Sequence, residues 1–226
     1  MKTLHFGIEM EMTGITRNRA ASLMARFFGT ESRHEGGAYD TYTAKDDRGR
    51  KWKAMNDSSL IPQKKVNGEI MDASASYRTE VVSPILSYED IPKLQELVRT
   101  LRKSGAFANK SCGIHIHVGL GEHTPQSLRR LVNIVNAKED LLTQALGISP
   151  SRRARWCRPV EPAFLAELNR RKPASMEALA QLWYRTNNGG GYTDWRRHAA
   201  SHYDLSRSHL LNLHATFSTE RPAHTN

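Results

Sequence analysis

The sequence has little cysteine, fewer acidic than basic residues, and no long hydrophobic run. Its two cysteines, Cys112 and Cys157, are too few for a disulfide framework, which excludes the class of small disulfide-stabilised secreted domains. No apolar stretch approaches the roughly 18 residues of a membrane-spanning helix, so we expect no membrane association. The N-terminus, MKTLHFGIEMEM, has acids where a signal peptide would have an apolar segment. We therefore expect a cytoplasmic protein.

Basic residues outnumber acidic ones, 33 to 23, and the formal net charge is +10. Arginines cluster in the second half of the chain, in SRRARWCR (151–158), NRRK (169–172) and WRRH (195–198). Such runs can contact the phosphates of a nucleic acid or of a nucleotide. The sequence lacks the signatures of helix-turn-helix, zinc-finger and RNA-recognition domains. A basic nucleic-acid-binding protein is therefore an alternative, but we expect no specific nucleic-acid partner.

The length of 226 residues suits one sizeable domain. Periodicity and turn residues predict strands at 4–12, 39–43, 51–55, 78–83, 109–119 and 210–214. They predict helices at 17–28, 87–104, 124–146, 162–169 and 174–185. Strands with interspersed helices in this order favour an α+β fold with a mainly antiparallel sheet.

The first predicted strand, FGIEMEM, alternates apolar residues with carboxylates. Because side chains on a strand alternate between its two faces, Glu9 and Glu11 share a face. Two such charges repel each other, and burial would raise their pKa values, so we expect a positive group opposite them. The alternative is a strand face that is simply solvated.

The stretch NKSCGIHIHVG (109–119) has the same construction with histidines. His115 and His117 share one face of the predicted strand. We expect the core to contain the alternating aliphatic residues of this strand, Ile114, Ile116 and Val118. Chance placement of histidine on a half-exposed strand is the alternative. Two matched strands in one chain favour a common polar site.

Two further acids precede turns or strand ends. Asp57 lies in NDSSL (56–60), and Glu80 lies in RTEVVSP, where a period of two would put Arg78 on the same face. Carboxylates with an imidazole form an oxygen-rich site that suits Mg²⁺ or Mn²⁺. Acids and arginines around one cavity fit the handling of phosphate through metal ions. The alternatives are an Asx turn for Asp57 and a salt-bridged strand residue for Glu80.

A zinc-dependent hydrolase is the competing interpretation, because H-x-H is also a common pair of zinc ligands. Its third ligand could come from the later histidines, His202, His209 and His214. Cys112 could also act as a nucleophile beside an imidazole. A cysteine at the start of a strand, next to a glycine, is more often a packing residue.

Five segments, in order, resemble the amidoligase family of the glutamine synthetase-like carboxylate–amine ligase superfamily: FGIEMEM, DSSL, EVVSPIL, NKSCGIHIHVG and SRSHLLNLH. The resemblance covers residues 4–214. It implies a mainly antiparallel sheet of the glutamine synthetase-like catalytic type with helices packed on one face. It also implies ATP-dependent amide formation, in which Mg²⁺ (or Mn²⁺) binds the nucleotide phosphates and a carboxylate is activated as an acyl phosphate. The implied partners are small-molecule or peptide carboxylates and amines.

The resemblance also implies roles for individual residues. The implied metal ligands are Glu9, Glu11, Glu80 and His115. The implied catalytic residues are Glu80, His115 and Arg207, and the implied nucleotide-binding residues are Asp57, Ser59, Arg78 and His117.

The C-terminus departs from the family pattern, which is expected to continue after LLNLH with an E-F-R strand. The chain has Glu220-Arg221 without the intervening residue, and Pro222 disfavours a central strand. We therefore expect a single catalytic domain over 1–226 that lacks its C-terminal strand. Residual ATP binding, poor turnover and self-association into a homo-oligomer through an open sheet edge would follow.

Overall fold

The computed structural model describes residues 4–187, 194–201 and 204–218. Their contacts fall into two compact units, unit 1 up to Gly119 and unit 2 from Leu120 onward. The expectation that the chain works as one catalytic domain stays a prediction. No helix in the described part of the chain is both long and apolar enough to cross a membrane.

Unit 1 contains the strands and two helices. The strands are β1 (Phe6–Met12), β2 (Ser32–Gly36), β3 (Thr41–Lys45), β4 (Lys51–Met55), β5 (Gln63–Val66), β6 (Glu69–Asp72), β7 (Thr79–Val82) and β8 (Ile114–Val118). The helices are α1 (Arg17–Phe28) and α2 (Ile91–Lys103), and 3₁₀ turns span Ala75–Tyr77 and Tyr88–Asp90. The α+β class predicted from the sequence is confirmed.

Six strands form an antiparallel sheet in the order β2-β3-β4-β7-β1-β8. One face packs on α1 and α2 through a core that includes Ile8, Met10 and Val81. Local sequence sets the helix ends: the Thr16 hydroxyl accepts a hydrogen bond from the N–H of Arg19 and begins α1. Gly29 ends α1 in the left-handed conformation with φ of 70°. The opposite face of β1 therefore remains for its carboxylates.

The prediction for the aliphatic residues of β8 is wrong. Ile114, Ile116 and Val118 are exposed, each by more than 60%. Ile114 and Ile116 lie opposite Met10 and Ile8 in the ladder and so share their face. The apolar cluster beneath the sheet takes in β1, but it includes no described residue of β8. The alternation in the sequence predicted that these side chains share one face of the strand. It could not predict that this face is exposed to solvent at β8, which lies at the edge of the sheet.

The hairpin β5–β6 is separate from the main sheet and was not predicted. Its turn residues Asn67 and Gly68 both have positive φ, 51° and 89°. Asn-Gly is the preferred pair for such a two-residue turn, so the signal was present in VNGE.

Unit 2 is helical in its described part. Its helices are α3 (Pro125–Ala145), α4 (Pro150–Arg155), α5 (Pro162–Arg171), α6 (Met176–Asn187), α7 (Trp195–Ala199) and α8 (His214–Phe217), with a 3₁₀ turn at Leu205–Ser208. Its core packs Leu128 and Val132 of α3 against Phe164, Leu168 and Trp183.

The predicted strand at 210–214 is wrong. Only His209 makes a bridge, a parallel one with Arg158. The side chain of Asn212 then accepts a hydrogen bond from the N–H of His214, which starts α8. The competing Asn side-chain bond therefore favours a helical turn over extension of the bridge.

Candidate metal and nucleotide site

Strand register gathers acids and imidazoles on the sheet face that the helices of unit 1 leave uncovered. Glu9 lies opposite His115 on β8, and Glu11 lies opposite Glu80 on β7. His117 lies opposite Gly7, two residues from Glu9, and so shares this face. The period of two thus places the predicted residues of β1 and β8 as expected.

The carboxylates and one imidazole form two groups of potential metal ligands. Glu9, Glu80 and His115 form one group, and Glu11, Asp57 and Glu80 form the other; ligand atoms within each lie within 4.8 Å of one another. We call them the strand group and the loop group, because Asp57 alone stands outside a strand. Glu80 belongs to both groups.

Glu9 contacts both histidines. Its Oε2 lies 3.0 Å from Nδ1 of His115, and its Oε1 lies 3.3 Å from Nε2 of His117. The hydrogen bond to Glu9 raises the pKa of His115, against the opposing effect of desolvation. Two imidazoles therefore lie against Glu9, and the positive group expected opposite the acids stays a prediction.

Glu80 has the most perturbed carboxyl group of the site. Burial, as the largest cause, and the negative charges of Glu9, Asp57 and Glu11 together raise its pKa to about 8. Four carboxylates held this close repel one another unless positive charge compensates for them. The arrangement fits a divalent cation, and oxygen donors with at most one nitrogen suit Mg²⁺ or Mn²⁺.

Backbone contacts fix Glu11 and the turn that precedes β8. The Oε2 atom of Glu11 accepts a hydrogen bond from the N–H of Gly113 at 2.5 Å, and its own N–H donates to the Gly113 carbonyl. Cys112 is buried next to this turn, and its Sγ lies 3.5 Å from the Oδ1 of Asn109. This burial fits a packing role for the cysteine.

The remaining predicted residues of unit 1 lie in loops. The carboxylate of Asp57 accepts from the N–H of Ser59 at 2.7 Å, so the predicted Asx turn is present, and Asp57 still joins the loop group. Arg78 follows a 3₁₀ turn and precedes β7. Its buried Nε has no hydrogen-bond partner among the described residues.

Other predicted candidates lie in unit 2 or outside the described residues. Arg207 is exposed in the 3₁₀ turn of unit 2, and its role near phosphate stays a prediction. In the same unit, His209 is bonded to the Pro159 carbonyl, and His214 to the Tyr184 hydroxyl. His202 and the segment Glu220–Pro222 lie outside the described residues.

Neither group of potential ligands contains both histidines of the H-x-H pair, as far as the described residues go. A zinc site built on that pair would need both imidazoles on one ion. The geometry instead gives one histidine to the strand group and none to the loop group. This favours an oxygen-ligated ion over zinc.

Sequence reasoning missed two polar residues that hold the loops of the site. Arg17 donates to Asp40 and to the carbonyls of Ala75 and Arg78, just before β7. Asn109 lies in the loop before β8, where it bonds to Ser111, and it also bonds to Ile61 in the loop that follows β4. Asn109 stands inside the quoted NKSCG segment, whereas an arginine in the first turn of a helix gives no comparable signal.

Comparison with known proteins identifies the family of the chain. Residues 2–224 match the family model described as "Putative amidoligase enzyme". No curated protein and no solved structure matches the chain. The match covers almost all of the sequence, including both strands that hold the acids and the histidines, and the chain therefore belongs to this amidoligase family.

Proposed function

We propose that the chain is an ATP-dependent ligase that joins a carboxylate to an amine through an acyl-phosphate intermediate. The observation that supports this most is the pair of acidic groups that share Glu80 on one sheet face. Family membership supports amide-forming chemistry in general. ATP dependence and the acyl phosphate are parts of the proposal.

The positions of the residues suggest which of them would hold each metal ion and which would contact phosphate. Glu9 and His115, with Glu80, would hold one Mg²⁺ or Mn²⁺ ion, and Glu11, Asp57 and Glu80 would hold a second. Such ions neutralise the charge that develops during phosphoryl transfer. The buried guanidinium nitrogen of Arg78 leaves a donor for a phosphate oxygen.

The proposed reaction has two steps. An oxygen of the substrate carboxylate attacks the γ-phosphorus of ATP, and the bond to the β–γ bridging oxygen breaks to release ADP. The amine nitrogen then attacks the acyl carbon, phosphate leaves, and the amine loses a proton. We assign His117 to phosphate contact in this proposal, with Ser59 beside Asp57, and the role of Arg207 in unit 2 stays a prediction.

The test is a screen for phosphate release with MgATP, carboxylate libraries and hydroxylamine as the amine. We expect phosphate and hydroxamate to form together, and only when ATP, metal and carboxylate are all present. Glu9→Gln and Glu80→Gln should each reduce this rate by roughly 10²-fold or more, because each removes a metal ligand. Glu31→Gln is the matched control, since Glu31 is exposed in the loop between α1 and β2.

Calorimetry gives an independent arm of the test. Nucleotide binding should require Mg²⁺ and weaken in Glu9→Gln but not in Glu31→Gln. Tight binding of one zinc ion, with hydrolysis that needs no ATP, would overturn the proposal in favour of a zinc hydrolase.

A further inference from the structure

Asn109 joins the loop before β8 to the loop that contains Asp57. Its Nδ2 donates to the Ile61 carbonyl at 2.9 Å and to the Gln63 Oε1 at 2.8 Å. Its Oδ1 accepts from the N–H and the hydroxyl of Ser111, at 2.9 and 2.6 Å. A carboxamide has two N–H donors and two acceptor sites, so this one uses its full capacity.

Ser111 completes the junction from the other side. Its hydroxyl donates to Asn109 and also accepts from the N–H of Ile61 at 2.9 Å. Both backbone polar groups of Ile61 are therefore held by this pair of side chains. The next part of the loop is bonded to the end of β1, where Thr13 Oγ1 and the N–H of Gln63 lie 2.7 Å apart.

These loop bonds matter because the two groups of ligands are held in position by different kinds of structure. Every member of the strand group sits on a strand, so the ladders of the sheet fix their positions. Asp57 in the loop group follows β4, and no ladder bond holds it. Beyond the Asx turn with Ser59, the bonds that hold its loop downstream include those of Asn109, Ser111 and Thr13. The Pro62 carbonyl also accepts from the N–H of Ala73.

We propose that Asn109 is a positioning residue, which holds the Asp57 loop so that the loop group can bind a second divalent cation. This inference rests on the metal site of the proposed function. Asn109 need not touch the cation, because it acts through the loop. Removing a residue that orients a metal ligand typically weakens metal affinity about 10- to 100-fold.

The test counts bound Mn²⁺ ions on the full chain by the electron paramagnetic resonance signal of free Mn²⁺. We expect two ions for the wild type. In Asn109→Ala, the second ion should bind about 10- to 100-fold more weakly, while the first keeps its affinity within about threefold. Ser111→Ala should shift the same ion in the same direction by a smaller factor, and it serves if Asn109→Ala folds poorly.

Asn133→Ala is the matched control. Asn133 makes comparable amide bonds in unit 2, to the Arg129 carbonyl and to Asn169. Its loss should reduce stability while both ions bind as in the wild type. A metal-free readout accompanies the titration: in EDTA, amide hydrogen exchange at Ile61 should accelerate in Asn109→Ala, with Val81 of β7 unchanged.

Three results would overturn the inference: a wild type that binds fewer than two ions, an Asn109→Ala variant that binds both normally, or equal weakening of both ions. Failure of the proposed function is distinguishable from these. A chain without ATP-dependent phosphate release could still show two Mn²⁺ ions and the selective loss in Asn109→Ala.

Discussion

Among the residues of this site, Glu80 is the one that most destabilises the folded state. It lies opposite Glu11 in the β1–β7 ladder, and like charges in that position destabilise a sheet. Its surroundings include Glu9 and Asp57 as well, and burial removes the water that would screen them. A sheet gains nothing from this arrangement unless a cation or substrate compensates for it, which is typical of a functional site.

The pKa of Glu80 makes the stability of the metal-free protein depend on pH. Between an ordinary value near 4.5 and its folded value of about 8, the folded state holds a proton that the unfolded chain has lost. This contribution is fully present below about pH 4.5 and is lost as pH rises through about 8. We expect the free energy of unfolding in EDTA to fall over this range, by up to about 5 kcal/mol from this group.

Glu80→Gln isolates the effect. Urea denaturation at about pH 5 and about pH 9 should show a smaller fall in Glu80→Gln than in wild type, because the amide does not titrate. Glu31→Gln should follow the wild type. Added Mg²⁺ should stabilise the wild type more at the higher pH, since the cation binds the ionised carboxyl group. Equal pH profiles for wild type and Glu80→Gln would contradict the prediction.

The sequence predicted which candidate residues share a strand face better than it predicted how the strands pair. A period of two was enough to put Glu9 with Glu11 and His115 with His117. It could not show that Glu80 lies opposite Glu11, because register depends on which strands pair and on the turns between them. The role of Asn109 depends on loops brought together by folding, and no local pattern encodes it.

At the scale of elements, strands and helices with strong periodicity or caps were predicted well. The expected capping box of Ser87 and Asp90 is present, and it begins the 3₁₀ turn Tyr88–Asp90 that leads into α2. The wrong predictions concern segments whose structure depends on their contacts with neighbouring parts of the chain. The segment 210–214 has strand-like composition, but it forms bends and irregular backbone up to His214, where α8 begins. Strand β8 has a core-like face that no helix of unit 1 covers.

The turn between β1 and α1 gives a prediction at this scale. Gly14 has φ of 86°, and a Cβ there would lie 2.2 Å from the Gly105 carbonyl oxygen and 2.6 Å from the Phe107 ring. The left-handed conformation costs alanine about 1–2 kcal/mol, and overpacking adds about 1–3 kcal/mol. We expect Gly14→Ala to destabilise unit 1 by about 2–5 kcal/mol, the sum of these two costs, measured by hydrogen exchange of the β1 amides.

Gly29→Ala separates the two costs. Gly29 also has positive φ, 70°, yet no atom of the described residues lies within 4 Å of a Cβ placed there. It should therefore show only the conformational cost of about 1–2 kcal/mol. If both variants lose the same stability, the contact with Gly105 and Phe107 relaxes without cost and the close approach is not structurally required.

At the scale of the whole molecule, the charge of +10 is partly balanced locally. Each of the three arginine-rich runs contributes to an ion pair inside unit 2. The pairs are Arg153 with Asp140, Arg170 and Arg171 with Glu167, and Arg196 with Glu177. Exposed pairs of this kind contribute little to stability, but each engages a cation that would otherwise be available to a phosphate backbone.

This local balance predicts that nucleic acid binds only weakly and without sequence preference. If the arginine runs formed a polymer-binding surface, neutralising six or more phosphates would give a steep fall of log affinity with log salt, with a slope beyond about −5. We expect a slope shallower than about −3, measured by fluorescence anisotropy with duplex DNA and single-stranded RNA over a range of salt.

His115→Ala should leave this binding unchanged, because the imidazole belongs to the acidic site of unit 1, which repels phosphate when no metal is bound. Glu167→Gln is the informative companion: releasing Arg170 and Arg171 from their shared carboxylate should strengthen the binding and steepen the slope. High-affinity, sequence-selective binding by the wild type would contradict both this prediction and the ligase proposal.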